Sequence, residues 1–232
     1  AWLHTVDVSE PAKPAWLGKS SMPVAPGDLQ IVGPYGYVAG YWAEPILGSI
    51  IVTYRFGILD LNDPANPQST ALMEWSPPPV MQFLMPGLSV ADGYAYVAEA
   101  SSGLRIIDIA DPHDPQLVAV HEPPGYARRV VVDQGYAYLV YDSVSAGCGI
   151  EVLDVGVPEA PAAVGLYQAA SSIARVQVLD GLLYLALYEG GLVILDISDP
   201  AHPHMLGSCS LDTPNIMSMG VAPGFAYVGD DK

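Results

Sequence analysis

The sequence predicts an all-β protein built from a tandem repeat, and three observations support this prediction. Glycine and proline supply 23 and 22 of the 232 residues, which leaves little room for long helices. An Asp-x-x-x-Pro-x-x-Pro motif occurs five times, and a tyrosine in an aromatic-rich segment alternates with it. The segments between these marks are short and rich in β-branched and aromatic residues, as β-strands are.

The repeated aspartate and the repeated tyrosine are both interpreted as structural residues. The motif aspartates are Asp7, Asp60, Asp108, Asp154 and Asp196. The alternating tyrosines are Tyr37, Tyr96, Tyr138, Tyr184 and Tyr227. Because every unit has one such aspartate beside a proline turn, its carboxylate is expected to accept backbone N–H groups in an Asx-turn, in preference to forming a ring of ligands. The tyrosines are expected to pack in the core.

Each unit contains four strand signals, and the third unit shows them in order at 103–109, 116–120, 130–132 and 136–141. Glycine, proline and aspartate bound these segments, which is typical of an antiparallel meander. The segment 192–195 is apolar at every position, so its strand is expected to be buried on both faces. Sheets stacked face to face around an axis provide that environment. The sequence therefore predicts a β-propeller of four-stranded antiparallel blades.

The order of the strands predicts how the ring closes. We name the strand before each tyrosine A, the tyrosine strand B, the aspartate strand C and the next strand D, with A innermost. The chain begins with C and D and ends with A and B, so we expect five blades, the last shared between the N- and C-terminal segments. A fragment of a larger ring is the alternative. The expected single domain, 1–232, has units at approximately 1–41, 56–100, 103–142, 149–188 and 191–232, with an insertion at 42–55.

One segment resembles a known family. Residues 191–203, Gly-Leu-Val-Ile-Leu-Asp-Ile-Ser-Asp-Pro-Ala-His-Pro, are similar to the LVIVD-repeat family of β-propeller proteins, and 103–115 is nearly as good a match. Residues 149–161 and 56–67 match less well, and 3–14 is weakest at its start. The resemblance covers essentially the whole chain. It implies a bacterial or archaeal protein that is secreted or displayed on the cell surface, with no established activity to transfer.

Charge and composition exclude several function classes. The formal net charge is −17, which repels phosphate backbones and anionic lipid and so disfavours nucleic-acid and membrane-surface roles. No apolar run approaches the ~18 residues of a membrane span. The chain opens with Ala1 and not with Met, so either a signal peptide has been removed or the chain is a fragment. We expect an extracellular, cell-surface or periplasmic location.

Binding is expected at one end of the blades. The C–D and A–B turns repeat from unit to unit, whereas the B–C and D–A loops differ in every unit, and unit-specific loops are where binding is usually placed. Trp42 and Trp75 fall on this variable face and suit sugar stacking or partner anchoring, or else they cover the insertion. Trp2 and Trp16 fall in strands and are expected in the core. Further candidates on the variable face are Tyr126, Arg128, Arg129, Arg175, Tyr188 and Glu189.

The arginines are scarce, so their positions are informative. Arg128, Arg129 and Arg175 stand where D–A loops enter innermost strands. They could hold a carboxylate, sulfate or phosphate near the channel mouth. The alternative is local pairing with an acidic residue such as Asp28.

Enzyme signals are weak. No HExxH or GxSxG motif occurs, and neither a cofactor nor a metal site is predicted, although His202 and His204 form a His-x-His pair. The two cysteines, Cys148 and Cys209, have no metal spacing and are expected to be unpaired and mostly buried, with a disulfide left open. A propeller hydrolase or lyase would use carboxylates from several blades, and its candidates are Glu44, Glu99, Asp142 and Glu189.

The sequence thus predicts a non-enzymatic extracytoplasmic interaction module that binds another protein or a surface glycan through the B–C/D–A face. A lectin-like carbohydrate binder and a propeller glycoside hydrolase or lyase are the alternatives. Nucleic acid and direct membrane insertion are not expected, and a place in a larger assembly stays open.

Overall fold

The computed structural model describes residues 1–22, 24–46, 49–76, 85–211 and 216–230. In these ranges the chain is all-β. The strands are β1 (Trp2–Asp7), β2 (Ala15–Ser21), β3 (Ala25–Val32), β4 (Tyr35–Ile46), β5 (Ser49–Asp60), β6 (Gln68–Trp75), β7 (Gly87–Ala91), β8 (Tyr94–Ala98), β9 (Leu104–Asp108), β10 (Gln116–His121), β11 (Tyr126–Asp133), β12 (Tyr136–Ser143), β13 (Gly147–Asp154), β14 (Ala162–Ala169), β15 (Ile173–Leu179), β16 (Leu182–Leu187), β17 (Gly191–Asp196), β18 (His204–Cys209), β19 (Ile216–Ala222) and β20 (Phe225–Asp230). The described residues include no helix with the length and apolar character needed to cross a membrane.

The strands form the sheets that the repeat predicts. Four antiparallel meanders, β3–β6, β7–β10, β11–β14 and β15–β18, each contain the strands A to D in order. The innermost strands β3, β7, β11, β15 and β19 each contact the next in this series, and residues of all five line one central cavity. The β-propeller architecture is therefore confirmed.

Apolar packing between neighbouring sheets holds the blades together. One buried cluster joins Phe56 and Ile58 of the first four-stranded sheet to Val97 and Ile107 of the second. Two further clusters join the second sheet to the third and the third to the fourth. Each fully buried side chain of this size contributes about 1.5–3 kcal/mol. Because each cluster draws on two sheets, a single blade could not bury its own apolar faces.

At the three boundaries between the four-stranded blades, side chains of one blade bond to the inner edge of the next. An innermost strand has a neighbour on one side only, so every second N–H group points away from its sheet. These groups find acceptors across the blade boundary. The bonds are Leu88 N–H to Asp28 (3.1 Å), Val90 N–H to Gln30 (2.7 Å) and Val132 N–H to Ser89 (3.0 Å). In the next boundary the Arg129 side chain donates to the carbonyl of Ala174 at 3.0 Å.

The turns have the chemistry that the sequence indicates. The A–B hairpin turns Asp92–Gly93, Gln134–Gly135 and Asp180–Gly181 have positive φ at both residues, as type I′ turns require. In the C–D turns, all five motif aspartates accept the N–H of the residue two positions ahead. The acceptors and donors are Asp7 with Ser9, Asp60 with Asn62, Asp108 with Ala110, Asp154 with Gly156 and Asp196 with Ser198.

The shared blade is not formed as a sheet in the described residues. β1–β2 and β19–β20 are separate two-stranded sheets, and no pairing joins β20 to β1. The blade number therefore stays a prediction. The side chains at this boundary correct two expectations about the core, because Trp2 and Trp16 are 57% and 63% exposed and Tyr227 is 65% exposed. Leu3 of β1 does pack against the first four-stranded sheet, but these three side chains remain exposed, unlike Tyr37, Tyr96 and Tyr138, which are buried between sheets.

The insertion at 42–55 is a regular element. β4 and β5 are each twelve residues long, and their pairing continues from Tyr35 opposite Asp60 out to Ile46 opposite Ser49. The expected B–C insertion therefore lengthens the hairpin of the first four-stranded blade.

The glycine that opens the repeat motif is required by its surroundings. Gly191 has φ +88°, and a Cβ there would lie 2.1 Å from the carbonyl oxygen of Cys209. We expect Gly191→Ala to lower the free energy of unfolding by about 1–3 kcal/mol, the usual range for a strained backbone residue. Urea denaturation measures this change. Gly207→Ala in the paired strand meets no atom within 4 Å and is the control, and an equal loss in both variants would contradict the steric explanation.

Candidate functional site

The variable face carries a groove between two blades. Two adjoining cavities of about 320 and 340 Å³ share Arg128, Asp142 and Ser172. We call them together the loop-face groove, and define it by Tyr126, Arg128, Asp142, Ser172, Tyr188 and Glu189. These residues come from the start of β11, the end of β12, the β14–β15 loop and the β16–β17 turn. The structure thus brings together four of the binding candidates that the sequence indicates.

A β-bulge directs the side chains of the consecutive residues Arg128 and Arg129 into different sites. The register of β11 against β12 shifts between Ala127 and Arg129, and such a shift changes the direction of the side chains around it. Arg128 lines the loop-face groove, whereas Arg129 lines the central cavity. The same shift occurs in β3, β15 and β19. The bulge is therefore a repeated feature of the innermost strands.

A largely buried ion pair lies in the loop-face groove. The Arg128 Nη1 and Asp142 Oδ2 atoms are 3.3 Å apart, and their side chains are 24% and 21% exposed. The second carboxylate oxygen of Asp142 is buried and has no hydrogen-bond partner. Buried acceptors without a donor are unfavourable. Asp142 therefore brings an unsatisfied acceptor into the lining of the groove.

Backbone contacts fix the groove's outer wall. Tyr188 N–H donates to the carbonyl of Ser172 at 2.9 Å. The Ser171 hydroxyl donates to the Glu189 carbonyl and accepts the Glu189 N–H. These bonds tie the β16–β17 turn to the β14–β15 loop. Tyr188 and Glu189 are thus held at the rim by their backbone.

Both cysteines are free thiols. Cys148 lines the loop-face groove, and burial raises the pKa of its thiol. Cys209 is exposed at the end of β18, contrary to the expectation of burial, and the disulfide that the sequence left open is not formed.

The central cavity has a volume of about 550 Å³ and a mixed polar lining. Arg129 Nε and Arg175 Nη1 both donate to the carbonyl of Ala174, at 3.0 and 2.8 Å, so the structure brings this predicted pair together. Burial is the main cause that lowers the pKa of Arg129, and repulsion from Arg175 adds to it. Asp28 lines the same cavity but accepts the N–H groups of Leu29 and Leu88. The expected alternative of local pairing with an acidic residue holds for Arg128, which pairs with Asp142, whereas in the described residues neither Arg129 nor Arg175 forms an ion pair with Asp28.

The two loop tryptophans have different surroundings. The Trp75 indole donates to the fully buried carboxylate of Glu99, and the Arg105 guanidinium lies 4.8 Å from its ring centre. Trp75 therefore lies in the joint between the first two four-stranded blades. Trp42 is 42% exposed on the extended hairpin, with the Arg55 guanidinium 5.0 Å from its ring centre. Only Trp42 of this pair keeps an exposed ring.

The comparison with known families agrees with this geometry. The LVIVD repeat matches residues 86–121, 124–168 and 171–211, more than half of the chain. The chain belongs to the LVIVD-repeat family. The three matched segments contain β7–β18 and hence both walls of the loop-face groove.

One solved structure supports the fold of this LVIVD-repeat protein. The crystal structure of the computationally designed Ika4 protein superposes with a TM-score of 0.50 and 10% sequence identity, covering 65% of this chain and 88% of that one. At this identity the likeness concerns the fold alone. No curated protein matches the sequence.

Of the four carboxylates considered for hydrolysis, two lie apart from the others in the LVIVD-repeat structure and two share a cavity. Glu44 is exposed on the extended hairpin and Glu99 is buried in the blade joint. Asp142 and Glu189 line one cavity.

Sequence reasoning did not single out Ser172 or Gln177. Gln177 precedes its tyrosine by seven residues, as Gln30 does, and that alignment was a usable signal. Ser172 has no such signal because its loop is specific to one unit.

Glu99 makes the stability of the protein depend on pH. Burial raises its pKa to about 7, against the opposing effects of Trp75 and Arg105. The folded state therefore retains a proton that the unfolded state has released, so the free energy of unfolding falls as pH rises from about 4.5 to 7. The loss is about 3 kcal/mol, because one pKa unit corresponds to about 1.4 kcal/mol.

We expect Glu99→Gln to remove this fall, since the amide is neutral at every pH. Urea denaturation between pH 5 and pH 8 compares the variant with the parent protein. Glu74→Gln, which removes a half-exposed partner of Arg55, is the control and should keep the parent profile. If the free energy of unfolding of the parent protein minus that of Glu99→Gln is constant across this pH range, the prediction is contradicted.

Proposed function

We propose that this β-propeller is a non-enzymatic extracytoplasmic interaction module that binds a segment of another protein in the loop-face groove. The observation that carries the proposal is the unsatisfied carboxylate oxygen of Asp142, which is buried beside Arg128 in a groove flanked by tyrosines. Arginine and tyrosine are enriched among the residues that contribute most to the binding of a partner.

The size of the groove and the net charge of the protein limit which kinds of partner could bind. Its two cavities, about 320 and 340 Å³, suit an extended segment or a few side chains. The net charge of −17 favours a neutral or basic partner. A backbone N–H, a serine hydroxyl or a lysine ammonium of that partner would donate to Asp142. The acidic, lysine-poor composition and the family resemblance support the extracytoplasmic location.

A glycan is the second candidate ligand. Asp142 and Glu189 offer carboxylates to sugar hydroxyls, and Tyr126 and Tyr188 offer rings for stacking. These four residues line the same groove, so a lectin-like binder would use the site proposed for a protein.

Two substitutions in the loop-face groove test the proposal. We expect Arg128→Gln and Tyr188→Ser each to lower the affinity for the partner at least tenfold. Anchor residues of this kind contribute about 2 kcal/mol or more to the free energy of binding. Lys13→Gln and His113→Ser, exposed on the repeated C–D turns, are the matched controls. Binding is measured on a glycan array and by affinity capture from cell-envelope extract, followed by titration of the purified partner.

The outcome separates the candidates. A protein whose affinity falls in both groove variants and not in the controls supports the first candidate. A sugar with the same dependence supports the lectin, and hydrolysis of that sugar would contradict the non-enzymatic assignment. If every ligand found binds the groove variants and the control variants with equal affinity, the loop-face groove is not the binding site.

A further inference from the structure

Two of the five arginines lie in the central cavity, and neither has a carboxylate partner among the described residues. The other three each form an ion pair with an acidic side chain. In the described residues Arg129 and Arg175 form none, and both donate to the carbonyl of Ala174. One carbonyl oxygen cannot satisfy two guanidinium groups, which carry five donors each. Most of their hydrogen-bonding capacity therefore remains available to a ligand.

The formal charge of the cavity lining is +1. Arg129 and Arg175 contribute two positive charges, and Asp28 contributes one negative charge. The Asp28 carboxylate is directed to the N–H groups of Leu29 and Leu88, so it does not neutralise either guanidinium by direct contact. Repulsion between the two arginines, which is among the causes that lower the pKa of Arg129, would be relieved by an anion. A monoanion matches this balance.

A third polar group in the cavity lacks a partner. Gln30 and Gln177 each precede an anchor tyrosine by seven residues. The side-chain oxygen of Gln30 accepts the Val90 N–H of the next blade at 2.7 Å. The corresponding oxygen of Gln177 is buried and has no hydrogen-bond partner. Gln177 lines the same cavity as the two arginines.

We propose that the central cavity binds a hydroxylated monocarboxylate, such as a sugar acid. Its carboxylate lies between Arg129 and Arg175, because guanidinium groups bind carboxylates with paired hydrogen bonds. One of its hydroxyl groups donates to Gln177. The cavity volume of about 550 Å³ is within the ~300–1,000 Å³ that is usual for small-molecule sites. This site shares no lining residue with the loop-face groove, and the proposal does not depend on the proposed partner.

Three probes of equal carbon number test the two parts of this recognition. Isothermal titration calorimetry measures the affinity for each of three compounds. Gluconate has both a carboxylate and hydroxyls, sorbitol lacks the carboxylate, and hexanoate lacks the hydroxyls. We expect gluconate to bind at least tenfold more tightly than either of the others. All titrations use the same ionic strength, because the interaction of charged groups is screened by salt.

Variants assign the contacts. Arg175→Gln is expected to weaken gluconate binding at least tenfold, and Gln177→Leu to weaken gluconate several-fold while leaving hexanoate unchanged. Lys13→Gln removes one exposed positive charge outside the cavity and should leave gluconate affinity within twofold. If Arg175→Gln does not fold, Arg175→Lys keeps the charge but loses the paired geometry and is expected to give an intermediate loss.

Three results would overturn the proposal. The first is equal affinity for gluconate and sorbitol. The second is an equal effect of Lys13→Gln and Arg175→Gln on the affinity for gluconate. The third is that gluconate, glucuronate and lactate all fail to bind at millimolar concentration. None of these results bears on partner binding in the loop-face groove, so the two proposals can fail independently.

Discussion

The unpaired inner edge of each blade is the constraint on which the rest of the structure depends. A four-stranded sheet in a propeller has one edge at the centre, and the backbone groups there need partners. Asp28, Gln30 and Ser89 supply acceptors from the preceding blade. These bonds set how closely neighbouring blades approach. They also place polar side chains around the centre, so the cavity lining includes polar groups although apolar side chains pack between the sheets.

One backbone position carries different chemistry in successive blades. Nine residues before the anchor tyrosines stand Asp28, Gly87, Arg129, Arg175 and Ser218. In the first blade this position closes a boundary with a carboxylate, and in the third it does so with a guanidinium. Gly87 allows close approach, because a Cβ there would lie 2.8 Å from the Cα of Arg129. In the fourth blade Arg175 bonds to its own strand, which leaves its remaining donors for binding. The repeat thus builds the scaffold, and departures from it create sites.

The repeat spacing predicts much of the fold, because strand order and turn chemistry are local. Asp-Gly turns, Asx-turns and apolar strands each follow from neighbouring residues. The surroundings of Trp2, Trp16 and Tyr227 depend on whether two distant segments pair, and a strand pattern alone does not contain that information. Trp75 illustrates the same limit at the site, since its partner Glu99 lies on another blade. The arginine cluster was predictable by alignment of the units, whereas the separation of Arg128 from Arg129 depends on a bulge.

Amide hydrogen exchange at the inner edges tests this account most directly. Leu88, Val90 and Val132 have no strand partner for their N–H groups, so a free edge would leave these amides to exchange rapidly. We expect slow exchange at all three, comparable with amides inside the sheets, because side chains of the preceding blade accept these N–H groups. Exchange at the rate of exposed loop amides would show that neighbouring blades are not joined in this way and would contradict the account.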